Sequence, residues 1–284
     1  RNIGDGFDRS CVGGAIPVEL SYSALGHLAA PTGSTKVSLS DTVIQYCERA
    51  LNSQAALKWR MRDVDRVSRQ MFQRVAPFTM TSPERVAAVC NAVHYVTRAK
   101  IPGAYVECGV WRGGSSMAAA LCLQADGAQD RELYLFDTFE GMSTPTEHDV
   151  RADDSASAAG LLDRSLKTEK IWCCASLEDV EANMASTGYP SNKVHLCKGM
   201  VEETLPREAP ETIAILRLDT DWYESTKHEL EHLYPRLAVG GVLIIDDYGY
   251  WAGARKAVDE YFADRPVLLS RIDRTGRIAI KVTS

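Results

Sequence analysis

Two short segments concentrate carboxylates directly behind apolar runs: Arg217-Leu218-Asp219-Thr220-Asp221-Trp222-Tyr223 and Ile244-Ile245-Asp246-Asp247-Tyr248. Asp219 and Asp221 are two residues apart, so on an extended backbone they share a face. A turn after Ile245 can bring Asp246 and Asp247 to one point. Four acids crowded together repel one another and hold protons too tightly unless a cation lies between them. All-oxygen ligands select Mg²⁺ or a similar hard ion that keeps exchangeable waters. Such an ion is a Lewis acid that eases deprotonation of a bound hydroxyl. On this reading Asp219, Asp246 and Asp247 hold the metal and Asp221 removes a proton. A structural role, with the same acids capping helices or pairing with Arg217 or Lys256, is the competing reading.

A second constellation lies nearer the middle of the chain. Val106-Glu107-Cys108-Gly109-Val110-Trp111-Arg112-Gly113-Gly114-Ser115-Ser116 ends one apolar run and opens a small-residue helix. Glycines there let the backbone approach a ligand closely, and a helix N-terminus offers free N–H groups. Glu107 would repel a pyrophosphate and favours a cofactor with a positive amine. Leu135-Phe136-Asp137-Thr138-Phe139 ends the next apolar run, where an acid is placed to accept from ribose hydroxyls. Together the two pieces predict a nucleoside-type cofactor. The dinucleotide fingerprint G-x-G-x-x-G is not met, because Val110, Trp111 and Arg112 follow Gly109.

These segments need a scaffold that presents strand ends side by side. Apolar strand candidates run over 104–107, 133–137, 194–198, 213–219 and 242–246, with a closing pair over 267–271 and 278–282 around Thr275-Gly276. Helical patterns lie between them, at 113–124 and near 176–186, 223–236 and 252–263. That alternation predicts an α/β fold with a mainly parallel sheet and helices on both faces. Upstream, Ser40-Asp41 caps a predicted helix carrying Val43, Ile44, Cys47, Ala50, Leu51 and Leu57. A charged stretch over 60–74 forms a second, and Ser82-Pro83-Glu84 opens a third that runs to about Lys100. Residues 1–35 read as a poorly ordered arm without the pattern of a signal peptide. The polar stretch 143–170 is long for a link and reads as a lid or binding loop, where His148 is a candidate substrate contact.

Composition narrows the classes. Hydrophobic residues at 45% and charged residues at 25% are ordinary for a globular protein, and a net charge of −6 argues against nucleic acid as a partner. No apolar run is long enough for a membrane span. The 8 cysteines include no C-x-x-C pair and read as free thiols of a cytoplasmic protein.

Val106 to Ser116, Leu135 to Met142, Arg217 to Tyr223 and Gly240 to Tyr248, taken in order, resemble the macrocin O-methyltransferase family over about residues 40–284. The resemblance implies a Rossmann-like class I methyltransferase fold with a seven-stranded sheet. It divides the chain into an arm (1–35), an N-terminal helical cap (36–100) and a catalytic domain (101–284). It implies S-adenosylmethionine, Mg²⁺, a homo-oligomer and a glycosylated small-molecule acceptor whose sugar hydroxyl is methylated. Its metal role falls on Asp219, Asp246 and Asp247, and its base role on Asp221. Cofactor contacts carry over to Thr79, Met80, Glu107, Cys108, Gly109, Val110, Trp111, Asp137, Thr138 and, on the adenine side, Ser176.

Three other readings compete. His228-Glu229-Leu230-Glu231-His232 has the H-E-x-x-H form of a zinc peptidase, although the metzincin extension fails at Pro235 and Ala238. Asp219-Thr220-Asp221 has the D-x-D form of a metal-dependent glycosyltransferase. A non-catalytic cofactor-binding module is the third. Trp222, Tyr223, Tyr248, Tyr250 and Trp251 flank the acids, as acceptor-pocket walls or as packing.

Overall fold

The computed structural model describes residues 61–283 of the chain. The expected arm over 1–35 and the helix expected from Ser40 through Leu57 lie outside the described residues. Everything described belongs to one compact unit, residues 53–284.

Helix α1 (Arg66–Val75) starts later than the charged stretch suggests, because the Asp65 carboxylate accepts from the Val67 and Ser68 amides and fixes the start. Helix α2 (Pro83–Arg98) opens as expected, with Ser82 as cap and Pro83 in the first turn. Its Val86, Val89, Cys90, Val93 and Val96 are buried at helical spacing. Each valine contributes about 1.5–3 kcal/mol by leaving water. After Gly103 come β1 (Ala104–Cys108), α3 (Gly114–Ala125) and β2 (Leu133–Asp137). The insert that follows holds the short α4 (Ala158–Asp163). Then come α5 (Leu177–Ala185), β3 (Val194–Lys198), α6 (Val201–Thr204) and β4 (Ile213–Leu218). The chain closes with α7 (Tyr223–Leu233), β5 (Leu237–Ile245), α8 (Ala252–Tyr261), β6 (Ser270–Arg271) and β7 (Arg277–Ile280).

The seven strands form one sheet in the order β3-β2-β1-β4-β5-β7-β6. Pairing is parallel from β3 to β5 and antiparallel at β7 and β6. This is the α/β architecture the apolar runs predict. The last two strands are shorter than expected or displaced: β6 lies at the sheet edge and keeps only the residues that pair with Arg277 and Ile278.

Register decides what the sheet presents. Glu107, Leu135, Arg217 and Ile244 lie in one row across β1, β2, β4 and β5 and point to one face. Two positions on, the chain reaches Gly109, Asp137, Asp219 and Asp246, so these acids project on that same side. It is the side covered by α1, α2 and α3, where Tyr105, Leu135, Ile215 and Ile244 form the core. The opposite face buries Val106, Phe136, Leu216, Leu243 and Ile245 with α7 and α8.

Among the contacts that tie down the insert 143–170 is a fully buried carboxylate, Asp149. Its Oδ1 accepts from the first amide of α7, Tyr223 N, at 2.7 Å, and its Oδ2 from Thr146 N and Oγ1 at 2.7 and 3.0 Å. A Cβ on Gly253 would sit 2.0 Å from Asp149 Oδ1, so α8 approaches this carboxylate closely only because that residue is glycine. The Trp222 indole N–H also donates to Ser143 O at 3.1 Å. His148 stacks edge-on against Tyr223, with ring centroids 4.7 Å apart.

Candidate active site

In a doubly wound sheet, ligands bind where the strand order reverses, beyond the C-terminal strand ends. Here the reversal lies between β1 and β4, and the chains leaving them nearly touch. Asp219 N donates to Cys108 O at 2.8 Å, and a Cβ on Gly109 would be 2.0 Å from Asp219 O. Gly109 has φ +81°, so it serves both a close approach and a left-handed turn. A cavity of about 490 Å³ opens at this point.

Its lining includes Thr79, Met80, Glu107, Gly109, Val110, Trp111, Asp137 and Thr138, all expected from sequence to meet the cofactor. Asp137, expected from sequence to meet a ribose, has a structural duty of its own. Its Oδ2 accepts from Val110 N and Trp111 N at 2.7 and 3.0 Å, and its Oδ1 from Phe139 N at 2.7 Å. The acid thus shapes the Gly109 turn, in which Trp111 is held at φ +47°. Glu107 is 1% exposed and fully engaged: Arg217 Nη1 donates to Oε1 at 2.6 Å, Tyr105 Oη to Oε2 at 2.8 Å, and Ser116 Oγ also donates to Oε2. Burial pushes its carboxyl up, against the pull of Arg217.

Two sequence assignments fall away from the cavity. Cys108 is fully buried on the opposite face of the sheet, because strand side chains alternate and its neighbour Glu107 takes the cavity side. Ser176 caps α5 by accepting from Asp179 N at 3.2 Å and does not line the cavity.

The four acids meet at the cavity floor, but not as one equal set. One oxygen from each of Asp219, Asp221 and Asp247 lies within 4.8 Å of the other two. Asp221 holds φ +69°, a left-handed backbone that Asp tolerates better than most residues, and this turns its carboxylate toward Asp247. Burial pushes Asp221 up to about 7 and raises Asp219 and Asp247 well above the carboxylate range. Asp247 Oδ2 is buried without a hydrogen-bond partner. Clustered, desolvated oxygens with an unmet acceptor are what a hard cation satisfies, so these residues fit the expected metal.

Asp246, assigned to the metal from sequence, stands apart from that trio. Its Oδ1 accepts from Arg217 Nη2 at 2.6 Å and from Thr81 Oγ1 at 3.2 Å, while its Oδ2 accepts from Arg85 Nη1. Burial alone would raise it, but the two guanidiniums hold it below the usual carboxylate range. Arg217 is itself 1% exposed and also donates to Asp219 Oδ2 at 2.7 Å. One buried cation therefore ties Glu107 to two of the floor acids. Removing one partner of such a pair costs about 3–5 kcal/mol.

Of the aromatic residues flanking the acids, Tyr250 and Trp251 line the cavity, as do Met142 and Ile171. Trp222, Tyr223 and Tyr248 act in packing instead: Trp222 is 2% exposed, the Tyr223 hydroxyl donates to Glu260, and that of Tyr248 to Asp259. Glu229 is buried beneath the D-x-D turn, where Thr220 Oγ1 donates to its Oε1 at 2.9 Å, on the inner side of α7. Among the described residues, no group of three or more metal-binding side chains includes His228 or His232. The zinc-peptidase reading therefore has no site.

The macrocin O-methyltransferase (TylF) family profile matches residues 29–279. A Streptomyces olivaceus enzyme named 8-demethyl-8-(2,3-dimethoxy-alpha-L-rhamnosyl)-tetracenomycin-C 4'-O-methyltransferase is 37% identical over 202 residues, covering 70% of this chain and 73% of that one. Demethyldecarbamoylnovobiocin O-methyltransferase of Streptomyces niveus is 34% identical over 200 residues, covering 70% and 73%. The solved O-methyltransferase NovP superimposes with a TM-score of 0.63 at 32% identity, covering 72% of this chain and 83% of NovP. The calicheamicin methyltransferase CalS11, at 19% identity and a TM-score of 0.53 over 89% of this chain and 99% of CalS11, shares the fold. The chain belongs to the macrocin O-methyltransferase family and is an S-adenosylmethionine-dependent O-methyltransferase.

Proposed function

We propose that the enzyme methylates a sugar hydroxyl of a glycosylated natural product of the antibiotic class, with Mg²⁺ as the assisting ion. Three carboxylate oxygens within 4.8 Å of one another, on the floor of the cofactor cavity, carry this reading. The names of the relatives support the acceptor class, since one acts on a rhamnosyl tetracenomycin and another on a novobiocin precursor. Asp219 and Asp247 would hold the cation, with Asp246 as third ligand, and when bound it would supply Lewis acidity that favours the acceptor alkoxide.

The chain's own residues do the rest. Asp221, raised to about 7, is the general base, because a base works best when its pKa lies near the working pH. Thr79, Met80, Glu107, Thr138 and the Gly109–Trp111 turn orient the cofactor, while Tyr250, Trp251 and Met142 confine the acceptor and exclude water. Methyl transfer needs the oxygen in line with the sulfonium methyl, so positioning supplies much of the rate. The catalytic domain of residues 101–284 and a cytoplasmic homo-oligomer belong to the same proposal; no described helix is long and apolar enough to cross a membrane.

The test is a mass-spectrometric screen of glycosylated antibiotics lacking one O-methyl group, with S-adenosylmethionine and Mg²⁺ or EDTA. A gain of one methyl on the sugar, lost in EDTA, is expected. Methylation confined to the aglycone would overturn the acceptor class, and a rate indifferent to EDTA the ion.

A further inference from the structure

Among the described residues, Arg85 is the cation from outside the sheet that pairs with an acid of the cavity floor, and no sequence motif points to it. It sits in the first turn of α2, where Ser82 Oγ caps its amide. Its guanidinium forks: Nη1 donates to Asp246 Oδ2, and Nε donates to Asp273 Oδ2 at 3.0 Å. The side chain is 13% exposed, so both pairs lie in a partly desolvated place. The surroundings are built for it. Asp273 is held by the Thr275 and Gly276 amides at 2.9 and 2.7 Å, and Ser82 Oγ donates to the same carboxylate at 2.5 Å. A Cβ on Gly276 would lie 2.8 Å from Arg85 Cδ, so the turn leaves a slot for the arginine stem.

This arrangement gives Asp246 a partner that a divalent ion would need to replace. Oδ1 is committed to Arg217, which has two further acid partners and no freedom to leave. Oδ2 is held by Arg85, whose second partner, Asp273, stays within reach if Nη1 lets go. We propose that Arg85 is a tethered counter-cation that occupies Asp246 in the ion-free enzyme and yields it to the divalent ion, falling back on Asp273. This rests on the metal reading above and extends it: ion affinity is set by a competitor carried in the chain. It also reconciles the two acid sets, because the trio Asp219, Asp221 and Asp247 is what remains open while Arg85 holds Asp246. Thr81 donates to the same Asp246 and lines the cavity, so the exchange would be felt at the cofactor wall.

The test measures Mn²⁺ binding to the full chain by the loss of the free-ion electron paramagnetic resonance signal. The proteins are wild type, Arg85→Gln and Arg85→Lys, each first shown to melt cooperatively. Gln removes both the charge and the fork; Lys keeps the charge but cannot bridge two carboxylates as a planar guanidinium does. Competition predicts Mn²⁺ binding tighter by about tenfold or more in the Gln variant, with Lys in between. A Lys variant matching wild type would mean simple charge repulsion and would overturn the displacement, as would a Gln variant binding no more tightly. If wild type binds and neither variant gains, this inference alone falls. If none of the three binds Mn²⁺, the metal reading falls with it.

Discussion

Replacing Asp221 with Asn isolates the proposed base from the rest of the floor. Asparagine tolerates the left-handed backbone that Asp221 adopts at φ +69°, so the turn between β4 and α7 survives the change. What is lost is a carboxylate held near 7, where it is basic enough to take a proton and about half ionised at neutral pH. General-base catalysis is typically worth 10²- to 10⁴-fold, or about 3–5 kcal/mol of barrier. The assay is kcat by S-adenosylhomocysteine formation with the acceptor found in the screen, with cofactor affinity from calorimetry. Turnover should fall by that factor while cofactor affinity stays within a few-fold. The pH profile adds a second reading. With the pKa at about 7, roughly a tenth of Asp221 is ionised at pH 6 and roughly nine tenths at pH 8, so the wild-type rate at limiting Mg²⁺ should rise about tenfold across that span. Saturating Mg²⁺ places positive charge beside the carboxylates and should move the rise to lower pH. An Asn variant with wild-type turnover and an unchanged pH limb would refute the assignment.

Gly109→Ala should abolish the thermal shift given by S-adenosylhomocysteine, because its Cβ would meet Asp219 O at 2.0 Å; a normal shift would show that the two chain segments can part. Glu229→Leu leaves the Thr220 hydroxyl without its acceptor and should cost about 1–3 kcal/mol in denaturant melts, while Glu229→Gln keeps an acceptor and should cost less. Equal losses would place the effect in the helix and not in that bond. Asp221 also links stability to pH: its folded pKa lies above the unfolded value, so the folded protein binds the extra proton between about pH 4 and 7. Ion-free enzyme should therefore lose stability as pH rises through that window, and Mg²⁺ should restore it. A melting temperature that rises with pH in EDTA would contradict this.

Much of the scaffold was legible because strand ends and chemistry coincide. β2 and β3 fall where the apolar runs end, and period-two alternation places Glu107, Arg217, Asp219 and Asp246 on one face. The same alternation, applied to Cys108, would have removed it from the cofactor list. Ser176, followed by Leu177, Glu178 and Asp179, carries an N-cap signal that competes with a ligand role. Arg85 was not legible, since a basic residue in the first turn of an amphipathic helix is usually solvated, and its partners lie more than a hundred residues away. The engagement of Asp246 is likewise a product of tertiary contact. Asp137 showed its position but not its second task, because acceptance from the Val110 and Trp111 amides depends on how the turn folds back.

The buried Asp149 has a consequence for recombining such enzymes. The 143–170 insert is joined through that carboxylate to the first amide of α7, an arrangement that leaves no room for a side chain at position 253. A chimaera that imports a foreign 143–170 segment therefore inherits a joint, not just a loop. Its donor must bring the carboxylate, and its host must keep the glycine, before any transplanted preference for a new substrate can be expressed.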